Sequence, residues 1–183
     1  MESIPTSYYS GTGRYVFHGT DPENIDSILD AGIQPDHETG SDTNAGEGVL
    51  NELIPNESFP FDRTNVVYCY TDANYVTESI EQQQAHDVFP DDSYVVIDVT
   101  RIDAPMYLTD MQVVSDLIDY FYGGEDAMLR FDTIKEALAA YRESIQSVDS
   151  FSDIYTYNQK TEHGVPELLV GGIISTDAIV DVI

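Results

Sequence analysis

Tyr15-Val16-Phe17-His18-Gly19-Thr20-Asp21-Pro22-Glu23-Asn24-Ile25-Asp26-Ser27-Ile28-Leu29-Asp30-Ala31-Gly32-Ile33 is the stretch on which the fold turns. Its first part reads as a short apolar strand, 15–17, that delivers His18 to a turn. A helix follows over 22–31, with Asp21 as N-cap, Pro22 at the first helical position and Gly32 just past the end. Ile25, Ile28 and Leu29 form an apolar stripe at helical spacing, and Ile33 can close the last turn with a hydrophobic contact. A titratable side chain placed where a buried strand gives way to a helix is a common way of aiming chemistry into a cleft.

The rest of the chain sets the frame around that element. Its 183 residues suffice for one substantial core and leave little for a second, so one domain spanning 1–183 is expected. Residues 1–13 read as a polar lead-in, and 34–65, rich in Gly, Pro, Asn, Asp and Glu, as a long acidic loop. Strands are expected at 66–70, at 94–99 and at 167–170, the second with the continuous apolar run of a central strand. Helices are expected over 72–84, 111–122 and 127–147, the first with Tyr75, Val76, Ser79 and Ile80 on one face, the last with Leu138, Tyr141 and Ile145 as core positions. The expectation is a mixed α+β domain with about four helices.

Charge is the second strong signal. Twenty-one Asp and 13 Glu stand against five Arg and two Lys, a formal net charge of −27. The acids are spread along the chain, which argues against a solvated acidic tail. A chain this acidic repels itself in dilute buffer, and in molar salt the screening length falls to about 3 Å. Scarce Lys, abundant Asp and a normal hydrophobic share of 42% point to a halophilic proteome with an acidic surface. The rival readings are a DNA mimic and a low-salt protein with a basic partner. No Lys/Arg cluster exists that would hold phosphates on a basic face. The N-terminus lacks signal-peptide character and no run of eighteen apolar residues occurs, so a soluble cytoplasmic protein with no membrane contact is expected.

His18, His37, His86 and His163 lack partners at metal spacing, so no metal is expected. Asp42-Thr43-Asn44-Ala45-Gly46-Glu47 resembles the opening of a calcium loop, but its glycine comes one place early and Leu53 stands where the closing acid belongs. Cys69 reads as an inert core thiol. Three polar residues interrupt apolar strands: His18, Tyr68 (or Tyr70) and Glu167. Each has an ordinary reading, as a satisfied core histidine, a plain β-former and an edge carboxylate facing water. Together they suggest a site.

These residues carry a family resemblance. A strand ending in His18-Gly19-Thr20, then a short helix with Asn24-Ile25, Ile28-Leu29 and Gly32-Ile33, resembles the first element of the ADP-ribosyltransferase fold. It is closest in pattern to the His-Tyr-Glu group of poly(ADP-ribose) polymerases and diphtheria-type toxins. Val66-Val67-Tyr68-Cys69-Tyr70 resembles the family's tyrosine strand, 94–99 its third strand, and Pro166-Glu167-Leu168-Leu169-Val170-Gly171-Gly172-Ile173-Ile174 its glutamate strand and turn.

The resemblance implies a split β-sheet core and a glycosyltransferase of the mono-ADP-ribosylating type. Such an enzyme takes NAD as substrate, breaks its nicotinamide–ribose bond and passes ADP-ribose to a protein or nucleic-acid acceptor, here as a toxin-like, defence or viral effector. It also implies that His18 holds a ribose hydroxyl through one ring nitrogen while the backbone fixes the other. Tyr68 would stack on the nicotinamide, with Tyr70 compatible with the same place, since alternation puts both on one face. Glu167 would bond the nicotinamide-ribose 2′-hydroxyl and activate the acceptor. Gly19 and Thr20 would add contacts, and Arg14 would meet the pyrophosphate. The alternative is a catalytically inactive module of the same fold serving a larger assembly, for instance part of a virion.

Overall fold

The strand that carries His18 is twice the expected length: β1 runs Tyr15–Thr20, so His18 lies inside it opposite Val95. The computed structural model describes residues 5–9, 12–35, 59–77, 93–123, 130–160 and 164–183. Most of the long acidic loop, the calcium-like segment 42–53, the end of the 72–84 helix, the first residues of the 127–147 helix, and His37, His86 and His163 lie outside the described residues.

The chain is α+β, with seven strands in one antiparallel sheet and five α-helical segments among the described residues. After β1 come β2 (Val67–Tyr70), β3 (Ser93–Asp98), β4 (Met106–Asp110), β5 (Gln146–Ser147), β6 (Pro166–Val170) and β7 (Ile179–Val182). The helices are α1 (Ile25–Ala31), α2 (73–77), α3 (Met111–Gly123), α4 (Ile134–Ser144) and α5 (Phe151–Asn158). The sheet order is β5-β4-β6-β2-β1-β3-β7. β1 pairs with β3 along its whole length, from Tyr15↔Asp98 to Thr20↔Ser93, but meets β2 in register only at Phe17↔Tyr70. The sheet therefore has a narrow waist between β1 and β2.

Strand alternation divides the core between two faces. On one face Val16, Cys69, Val95, Ile97, Leu168 and Val170 pack with Ile28 and Ile33 beside α1 and with Ile154 and Tyr157 of α5. On the other, Phe17, Tyr94 and Val96 pack with Ala73 and Val76 of α2, while α3 and α4 join through Val113, Val114, Leu117, Ala137 and Tyr141.

Several sequence expectations are corrected. Asp21 makes no side-chain cap; Pro22–Asn24 form a 3₁₀ turn and α1 starts only at Ile25. Leu29 is 49% exposed and not part of the core stripe. The 127–147 helix shortens to α4 because Thr133 caps it, accepting a hydrogen bond from the Glu136 amide at 3.3 Å, and Gln146–Ser147 turn into a sheet-edge strand. β4 and α5 had no counterpart in the sequence reading. α5 announces itself through Ser150 and Asp153, a capping pair whose side-chain-to-backbone bond measures 2.8 Å.

Two contacts fix the strands around the waist. Gly32 adopts φ +81°, where a Cβ would stand 2.3 Å from the Ile174 carbonyl, and this close approach allows the Ile33↔Ile174 bridge between the first and last elements. The buried Asp110 carboxylate accepts from the amides of Gln112, Gly164 and Val165 at 3.0, 3.0 and 3.1 Å. It thus caps α3 and sets the entry of β6, the strand that begins with Pro166 and Glu167.

Candidate active site

Glu167 is not at a sheet edge. β6 lies between β4 and β2, with Thr109 and Tyr70 directly opposite Glu167 on the two neighbours. A carboxylate this deep requires partners. Arg63 supplies two hydrogen bonds, Nη1 to Oε1 at 2.7 Å and Nη2 to Oε2 at 3.3 Å, and the Thr109 hydroxyl donates to Oε1. Arg63 Nη1 also donates to the Tyr141 hydroxyl at 2.8 Å. Its guanidinium carbon lies 5.1 Å from the Tyr68 ring centre and 5.7 Å from that of Tyr141. The result is a planar cation held by a carboxylate and two aromatic rings.

Arg63 was missed in the sequence reading. The available signal was that it is the single cation between Gln34 and Asn65, a stretch holding seven acids. Its place is secured locally: it opens the 3₁₀ turn Arg63–Asn65, just after Phe59 and Phe61. Those rings pack on Tyr141 (5.4 Å) and Tyr107 (5.1 Å) respectively. The Tyr68 hydroxyl donates to the Arg63 backbone carbonyl.

The two tyrosines of β2 share the Glu167 face and differ in surroundings. Tyr68 faces the Arg63 guanidinium, whereas Tyr70 packs against Tyr94 at 6.3 Å. His18 sits across the waist. Its Nδ1 is 2.9 Å from the Tyr68 backbone carbonyl, and since a carbonyl only accepts, Nδ1 carries the proton. The imidazole thus fills the gap where the β1–β2 ladder lapses.

Register sets a limit on this assembly. His18 opposes Val95 on one face, while Glu167 opposes Tyr70 on the other. β1, β2 and β6 are consecutive neighbours, so His18, Tyr68 and Glu167 lie on adjacent strands, with about 10 Å of sheet between the outer two. Gly19 is exposed beside the Tyr94 ring, and the Thr20 hydroxyl is 3.5 Å from Asn24 Nδ2.

Arg14 lies elsewhere. It precedes β1, about 13 Å of strand away from His18, and its Nη2 donates to Asp98 at 2.8 Å. Burial alone would raise the Asp98 carboxyl, but hydrogen bonds from Arg14 and Thr100 outweigh it and hold the pKa at about 2. Arg101 also approaches Asp98, and Arg130 pairs with Asp116 at 2.6 Å. Arg14, Arg63, Arg101 and Arg130 are therefore each engaged by a carboxylate.

Burial pushes the Cys69 thiol up, which removes it as a nucleophile at neutral pH. Among the described residues no group of three or more His, Cys, Asp or Glu is disposed to hold a metal ion, and no helix is long and apolar enough to cross a membrane. A shallow polar cleft between Tyr8, Tyr15, Thr71, Asp72 and Asn158 lies beyond the far end of β2, where Thr71 and Asn158 already bond each other at 2.9 Å. No protein-family model, curated protein or solved structure matches this chain.

Proposed function

We propose that this chain is an NAD⁺-dependent mono-ADP-ribosyltransferase adapted to concentrated salt, built on an ADP-ribosyltransferase-like core. The observation that carries this reading is the adjacency of β1, β2 and β6. It places the His18 ring on the Tyr68 backbone and the Tyr68 ring on the same cation that Glu167 binds.

The reaction converts NAD⁺ and an acceptor X–H into nicotinamide, ADP-ribosyl-X and a proton. Cleavage of the bond between ribose C1′ and the nicotinamide nitrogen leaves positive charge on the ribose, as in glycoside hydrolysis. A preorganised carboxylate lowers that barrier by stabilising the developing charge. Glu167 fits this role, held rigid by the Thr109 hydroxyl. Tyr68 offers a ring face to the nicotinamide, and His18, on the opposite face of the sheet, supports that ring through its bond to the Tyr68 carbonyl. With Arg14, Arg101 and Arg130 paired to Asp98 and Asp116, the pyrophosphate is met by backbone amides and hydroxyls near Gly19 and Thr20 in this reading. The acceptor is a protein or nucleic acid.

The test is nicotinamide release from NAD⁺ in multimolar KCl. Release that falls at least a hundredfold in Glu167→Gln supports the reading, and absence of both release and NAD⁺ binding overturns it. One observation favours a second reading, a non-catalytic module of the same fold: the Glu167 carboxylate is already paired in a buried ion pair. That reading predicts no NAD⁺ binding by wild type or by any variant that frees Glu167.

A further inference from the structure

We infer that Tyr68, Tyr141, Thr109 and Glu167 form a binding pocket for a planar monocation, and that Arg63 is its built-in occupant, which a cationic ligand must displace. The inference rests on the proposed NAD⁺ chemistry for the identity of that ligand, the nicotinamide ring.

The pocket has the composition such a cation requires. A buried carboxylate supplies the counter-charge, a hydroxyl fixes its orientation, and two aromatic rings present their negative faces. Arg63 fills it with a flat, delocalised, singly charged group. The pyridinium of NAD⁺ is also flat and singly charged. Both would claim the Tyr68 face and the Glu167 carboxylate, and two cations do not share one buried anion. Binding therefore passes through a state in which the guanidinium has left.

Arg63 belongs to a three-residue turn that packs through its neighbours Phe59 and Phe61 and through the Tyr68 hydroxyl bond. The apparent affinity for NAD⁺ is then the intrinsic affinity multiplied by the fraction of molecules in which Arg63 has withdrawn. Salt barely screens a pair this deeply buried, so the occupant stays in place under halophilic conditions.

Tyr141 provides a lever. Its hydroxyl accepts a hydrogen bond from Arg63 Nη1 at 2.8 Å. The pyridinium nitrogen bears no hydrogen to donate to that oxygen. Tyr141→Phe therefore removes a bond of the Arg63-occupied state while keeping the aromatic wall.

Calorimetric titration of NAD⁺ and NADH into folded wild type, Tyr141→Phe and Arg63→Met in molar KCl tests the inference. Tyr141→Phe is expected to tighten NAD⁺ binding about tenfold, the value of one hydrogen bond to a charged group. Arg63→Met is expected to tighten it further, with NAD⁺ preferred over NADH, whose nicotinamide ring is uncharged. Should Arg63→Met fail to fold, Tyr141→Phe decides alone. Wild type that binds NAD⁺ while Tyr141→Phe binds it no better overturns the displacement, and equal affinity for NADH overturns the cation pocket; both leave the proposed activity standing. Failure of wild type and every folded variant to bind NAD⁺ overturns the activity and this inference with it.

Discussion

Arg63 and Glu167 meet side by side, Nη1 to Oε1 at 2.7 Å and Nη2 to Oε2 at 3.3 Å, with each side chain only 4% exposed. Removing one partner of such a pair strands a charge in the core, whereas replacing both with apolar groups of similar volume is often neutral. Arg63→Met or Glu167→Leu alone is expected to destabilise by about 3–5 kcal/mol, and the double variant by far less. Denaturant unfolding in molar KCl measures all four forms. Additive single effects would show that the pair has no coupling.

His18 has a structural duty that its catalytic reading must be separated from. The bond to the Tyr68 carbonyl fixes the Nδ1–H tautomer of the neutral ring. Nitrogen-resolved NMR is expected to show a proton on Nδ1 of His18. His18→Ala is expected to cost about 1 kcal/mol of stability through the stranded carbonyl. A loss of nicotinamide release much beyond that small effect would assign His18 to substrate.

Asp98 governs part of the acid limb of stability. Its folded pKa of about 2 lies below the ordinary 3.8, so the folded state favours its ionised form. A depressed carboxylate contributes stability above its unfolded pKa and loses it as pH falls toward the folded value. The contribution of Asp98 is therefore full above about pH 5, mostly lost by about pH 2 and gone near about pH 1. Arg14 is 46% exposed, so solvent screening limits the contribution to about 1–2 kcal/mol. Asp98→Asn is expected to lower stability at pH 7 and to flatten the decline between these limits. An unchanged slope on acid titration would remove Asp98 from this role.

Local sequence signals found the elements that local chemistry dictates. The apolar run of β3, the Gly32 stop and the Pro166–Glu167 start all sit where their residues place them. The end of β1 was misplaced because Gly19 and Thr20 look like a turn; pairing with Tyr94 and Ser93 holds them in the sheet. β4 was missed because Met106–Asp110 follows Pro105 and shows little alternation, and its strand state is set by pairing with β6 and β5. His18, Tyr68 and Glu167 were legible one by one as polar residues in apolar strands. Arg63 was not, because 104 residues separate it from Glu167 and nothing local marks the pair. The waist between β1 and β2 was equally hidden, since strand pairing is a property of two segments at once.

The net charge of −27 separates two kinds of carboxylate whose salt response is expected to differ. Among the described residues Asp98, Asp110, Asp116 and Glu167 are buried, and each has a named partner within the fold. Most other described acids are at least partly exposed and repel one another through solvent, an interaction that molar salt suppresses as the screening length shrinks to about 3 Å. Global stability is therefore expected to rise steadily from about 0.2 M to about 3 M KCl. The Arg63–Glu167 coupling, shielded from solvent, is expected to keep its value across the same range. Unfolding of wild type and the Arg63/Glu167 variants at both salt concentrations measures the two quantities independently. A coupling that collapses in high salt would mean that water and ions reach the pair, and a wild-type stability indifferent to salt would set aside the halophilic reading of the surface.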